Sequence, residues 1–122
     1  YPTLLAAAGV DIPEGVTIRG RNFLPLLEGE ELDWNNDLYG EYSMRHGAQT
    51  DMRTLRTPEW KLTVDFNNPG RAELYDLRGD PGEQRNLIDS TDPETQQIAQ
   101  QLRGRILARM RSLGDPALRL QP

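Results

Sequence analysis

The chain has no cysteine, a single lysine, a single histidine and no long apolar run. Without cysteine there is no disulfide, no zinc–cysteine site and no thiol nucleophile. The compartment stays open, since many periplasmic proteins also lack cysteine. The longest apolar stretch, residues 4–8, falls far short of the roughly 20 residues of a membrane helix. Lysine stands only at position 61, and the net charge is −5. This argues against a nucleic-acid partner, whose phosphates call for clustered Lys and Arg. The arginines near the C-terminus, Arg103, Arg105, Arg109 and Arg111, read as a solvated helix face whose late cations complement the helix dipole.

What is present suits one globular domain. At 122 residues, 36% hydrophobic and 27% charged, the chain can bury one core but not two. It opens at Tyr1-Pro2 without a methionine or a leader, and residues 1–8 read as a helix already under way. Pro2 suits its first turn and Gly9 its end. The expectation is a fragment of a longer chain. Residues 10–20, with Pro13, Gly15 and Gly20, read as a loop. Phe23, Leu24, Leu26 and Leu27 around Pro25 predict one helical turn within residues 21–29. Residues 28–37 form an acidic connection, with Trp34 as its anchor into the core.

The centre reads as strands. Residues 38–43 alternate well enough for one, residues 44–51 break the pattern as a loop, and residues 52–57 form a weaker second strand. Thr57-Pro58-Glu59 is a turn. Trp60, Leu62, Val64 and Phe66 then alternate strictly with Lys61, Thr63 and Asp65, predicting a sheet with one buried and one wet face. Asn67-Asn68-Pro69-Gly70 closes a hairpin onto a strand at residues 73–77, and residues 78–89 are turn-rich. Asp92 is an N-cap and Pro93 a first helical residue. Ile98, Leu102, Ile106 and Met110 recur every fourth residue until Gly114 and Pro116 end the helix. The fold class is therefore α+β: a small antiparallel meander of three to four strands under a long C-terminal helix, with a short N-terminal helical segment. The domain spans residues 1–116 and a loose tail residues 117–122.

Five phrases in order carry a resemblance. YPTLLAAAGV, RGRNFLPLLEGE, LYGEYS, RTPEWKL and ELYDLRGDPGEQRNL resemble segments of the C-terminal subdomain of the sulfatase family, within the alkaline phosphatase-like superfamily. The match runs from Tyr1 to about Leu113. The resemblance implies part of a hydrolase of sulfuric esters. The family uses a formylglycine made from Cys or Ser in a Cys/Ser-x-Pro-x-Arg motif, beside a calcium ion held by Asp and Asn. A sulfate monoester is anionic, so a cation and basic groups must neutralise charge as the nucleophile approaches. None of Ser43, Ser90 and Ser112 begins such a motif. The resemblance therefore implies no catalytic residue, metal ligand or cofactor in this chain, calcium and formylglycine in the parent, and a chain inactive by itself. Its partner is the N-terminal catalytic domain of the same chain. The resemblance also implies a sulfated small molecule or sugar as the parent's substrate; it leaves the compartment unassigned, although bacterial members of the family are often exported to the periplasm or exterior. The isolated fragment is expected to self-associate through apolar surface. Phosphonate monoester hydrolases and phosphodiesterases share the same region, and a freestanding carbohydrate- or protein-binding module using residues 44–51 is the alternative from a different class.

Arg45 and His46, in the predicted loop, are the candidate substrate contacts, through charge-assisted hydrogen bonds to a sugar or sulfate. The competing reading is a mobile surface loop. Trp60 reads as core rather than a sugar platform, and Lys61 as a solvent-face residue. Asp76, Asp80 and Glu83 lack the spacing of a calcium loop and read as turn and capping residues.

Overall fold

A computed structural model describes residues 1–16 and 18–120. They divide into two compact units, Tyr1–Asn35 and Asn36–Pro122, the last two residues lying outside the described ones.

The first unit holds two short helices, α1 (Pro2–Ala7) and α2 (Leu24–Leu27), each with a proline in its first turn, where the missing N–H costs nothing. Thr3 joins them, its Oγ1 accepting from the backbone N–H of Phe23 at 3.1 Å. Trp34, which the sequence suggests as an anchor into the core, is half-buried. It lies 4.3 Å beneath the Arg21 guanidinium and edge-on to Phe23 at 6.3 Å, closing this unit on itself. Leu4 and Leu27 remain 73% and 70% exposed, because 35 residues are too few to build a core of their own.

The second unit is the expected α+β body. β1 (Leu38–His46), β2 (Ala48–Arg56), β3 (Trp60–Asp65) and β4 (Glu73–Asp76) form an antiparallel meander in sequence order. The register pairs Leu55 with Leu62 and Leu62 with Leu74, so apolar side chains from three strands share one face. The helix α3 (Pro93–Leu113) lays Leu102, Ile106 and Met110 on that face. Each side chain so buried contributes about 1.5–3 kcal/mol. Trp60 packs half-buried against this cluster.

The ends of α3 follow local chemistry. The Asp92 carboxylate accepts from the Thr95 N–H at 2.8 Å, and Gly114 turns left-handed at φ 62° so that the N–H of Asp115 reaches the carbonyl of Met110.

Two sequence expectations fail here. The second face of β3 is not wet: Thr63 and Asp65 are buried, because Thr54 bonds Thr63 at 2.9 Å and the chain after β3 folds its donors onto Asp65. Nor is the chain loose from Ala117. Pro116–Leu120 forms a 3-10 turn that buries Ala117 in the main core.

Candidate functional site

The segment read as a loop after residue 43 is a continuous β-hairpin. The β1–β2 ladder runs to the pair His46 and Ala48, and Gly47 reverses the chain at φ 71°, a conformation costly for any residue with a Cβ. Apolar alternation is missing at this exposed tip, which is held by the backbone ladder and by polar side-chain bonds. Arg45 and His46 thus stand on a strand and on its opposite faces. Both are exposed. The structure does not bring them together around one ligand group.

Arg45 is fixed at one end. Its Nη2 donates to Asp51 Oδ2 at 2.5 Å, while Nη1 donates to the carbonyls of Met44 and Thr50 at 3.0 and 3.1 Å. Its side chain is 53% exposed and that of Asp51 only 4%. Asp51 also accepts from Asn67 Nδ2. Burial pushes the Asp51 carboxyl up, but hydrogen bonds from Arg45, Ser43 and Asn67 together with the Arg45 charge hold it below its ordinary value. It stays ionised.

Beneath it lies a second carboxylate. Asp65 Oδ2 accepts from Thr50 Oγ1 at 2.6 Å and Asn68 Nδ2 at 2.8 Å, and its Oδ1 from the backbone N–H groups of Asp51 and Asn67 at 3.1 and 3.0 Å. Burial raises its carboxyl, and these donors outweigh that, bringing it from 3.8 down to about 2. Sequence reasoning missed both aspartates. The signal in the sequence is Asp65 followed by Asn67-Asn68, whose side chains bond nearby backbone in turns.

Elsewhere the carboxylates serve the fold. Asp76 Oδ1 accepts from the N–H groups of Arg78 and Gly79, Asp80 Oδ2 from that of Arg85, and Glu83 pairs with Lys61 at 2.5 Å. Lys61 therefore lies on a salt-bridged flank rather than free in solvent.

The profile of the family described as N-sulphoglucosamine sulphohydrolase, C-terminal, matches residues 1–112. The chain belongs to this sulfatase C-terminal family. It is 28% identical to an ulvan-active sulfatase of Formosa agariphila, over 93% of this chain and 28% of that protein. It is 32% identical to an N-acetylglucosamine-6-O-sulfatase of Bacteroides thetaiotaomicron, over 75% of this chain and 17% of that protein. A solved structure of a protein in complex with its substrate D-glucosamine-2-N,6-O-disulfate superposes with a TM-score of 0.74 at 27% identity, over 94% of this chain and 24% of that one. The chain thus spans under a third of the length of each of these relatives. Among the described residues no three His, Cys, Asp or Glu side chains stand together to hold a metal ion, and Asp76 and Asp80 accept from backbone N–H donors.

Proposed function

We propose that this segment is the structural and substrate-rim part of a sulfuric ester hydrolase, and that it is inactive when separated from the rest of its parent. The family match over residues 1–112 carries this reading. The nucleophile and the calcium belong to the remainder of the parent chain, whose catalytic domain is the partner of this one. The natural substrate is a sulfated small molecule or sugar, in keeping with the sulfated glucosamine bound by a structural relative. Arg45 and His46, exposed at the tip of the β1–β2 hairpin, are the substrate contacts, each acting on its own side of the strand.

An aryl sulfate assay tests the division of labour. The full-length parent is expected to turn over and the 122-residue chain not at all; turnover by the chain alone overturns the proposal. In the parent, Arg45→Ala and His46→Ala are each expected to lower kcat/KM on a sulfated sugar, and no change in either overturns the rim role. The isolated chain, which exposes Tyr1, Leu4 and Leu27, self-associates. Light scattering over a concentration series is expected to show species above the monomer, and monomer throughout counts against it.

A further inference from the structure

Arginine carries five N–H donors in a rigid plane. In Arg45 the hairpin uses those at one end: Nη1 serves the carbonyls of Met44 and Thr50, and one Nη2 hydrogen serves Asp51. What remains is the Nε–H and the second Nη2 hydrogen, for which no described residue supplies an acceptor. In arginine an Nε–H and an Nη2 hydrogen make up one edge, and on a half-exposed side chain such an edge matches two oxygens of one oxyanion.

The aim of that edge is set from below. Asp51 is almost fully buried and is held by Asn67, and its backbone N–H is pinned by the buried Asp65 at 3.1 Å. Asp65 in turn takes up Thr50, whose carbonyl is a second acceptor for Arg45. Every group that touches the inner end of the guanidinium is thus tied to a strand or to the turn after β3. His46 lies on the other face of β1 and does not share the edge.

We propose that Asp51 is a positioning residue. It holds Arg45 with its Nε/Nη2 edge outward to receive an oxyanion of a sugar substrate, either a sulfate or a carboxylate. The inference rests on the rim role given above and names the residue that makes it specific. Two effects of Asp51 oppose each other. Its negative charge beside Arg45 weakens the pull on an anion, whereas its hydrogen bond orients the fork. If orientation governs, removing the charge weakens binding; if charge governs, removing it tightens binding.

Calorimetry on the full-length protein that carries this segment decides between them, using D-glucosamine-2-N,6-O-disulfate, D-glucuronate and neutral N-acetylglucosamine as probes. The wild-type protein is expected to bind at least one anionic probe. Asp51→Asn and Arg45→Lys are each expected to weaken that binding about tenfold, the scale of one lost charge-assisted bond. Binding of the neutral sugar moves equally little in both, which a general loss of structure would not produce. Weakening confined to the disulfate identifies a sulfate oxyanion, and weakening confined to glucuronate a carboxylate. No binding of either anion by the wild-type protein, unchanged or tighter binding by Asp51→Asn, or full binding by Arg45→Lys overturns the proposal. Arg45→Lys alters an exposed side chain and keeps its charge, so it decides the point even if Asp51→Asn fails to fold. Aryl sulfate hydrolysis is followed in parallel: its persistence with a negative binding result removes only the Arg45–Asp51 inference, and its absence removes the sulfatase reading itself.

Discussion

Arg53 and Asp115, 62 residues apart in the chain, meet in a buried two-pronged ion pair, with Nε to Oδ2 at 2.6 Å and Nη2 to Oδ1 at 2.8 Å. Both side chains are almost fully buried. The pair fastens β2 to the turn that follows α3, and the C-cap at Gly114 brings Asp115 to it. Asp115 Oδ1 also accepts from the Ala117 N–H at 2.9 Å, which draws the C-terminal turn into the core.

Breaking this pair from one side leaves a buried charge alone. Asp115→Ala is expected to cost about 3–5 kcal/mol of stability, because the Arg53 guanidinium loses its partner without regaining water. Replacing both residues, Arg53→Met with Asp115→Ala, is expected to recover most of that loss. Urea unfolding of the single and double variants checks this; a double variant as unstable as the single one would refute it.

Asp65 predicts an acid dependence. Its folded value of about 2 lies below the ordinary 3.8, so the extra stability is fully present above about pH 4 and is lost as pH falls towards 2. The shift corresponds to about 2 kcal/mol. The depressed carboxyl of Asp51 acts with the same sign. Denaturation midpoints between pH 5 and pH 2 are expected to fall more steeply for the wild-type chain than for Asp65→Asn, and parallel curves would contradict the assignment.

Gly47 lies at φ 71° with open space where a Cβ would point. Gly47→Ala therefore costs backbone strain and no clash, about 1 kcal/mol, and loosens the tip that carries Arg45. Gly70→Ala, which meets no neighbour and has no left-handed φ, is the control and is expected to be close to neutral. Amide exchange in residues 44–50 should quicken in the first variant only.

Ile106 is fully buried at the centre of the helix–sheet interface. Ile106→Ala is expected to destabilise by about 2–5 kcal/mol. Arg103→Ala, on the exposed side of the same helix, should change stability by less than about 0.5 kcal/mol. Thermal unfolding of the two separates the faces of α3, and equal shifts would mean the helix is packed otherwise.

Much of the fold is legible in the sequence because its causes are local. Strict alternation at Trp60, Leu62, Val64 and Phe66 dictates a strand, the four-residue recurrence of Leu102, Ile106 and Met110 dictates a helix, and Asp92 with Pro93 and Gly114 sets its ends. The phrases of the chain also carry its family. The site is less legible. Arg45 and His46 are recognisable as residue types suited to an anionic sugar, but the ladder that sends them to opposite faces comes from backbone pairing with residues 48 and 49, which leaves no apolar pattern at a hairpin tip. Asp51, the Thr50–Asp65 bond and the Arg53–Asp115 pair are not legible for a related reason. A charged residue reads as solvent-facing until its partner is known, and here the partners lie 6, 15 and 62 positions away. The sequence by itself determined the elements, their order and the sulfatase lineage, since these depend on periodicity and caps within a few residues. Only the tertiary structure decided which charges are buried, which are tied and which edge of Arg45 is left open, because burial and pairing depend on what the rest of the chain brings alongside.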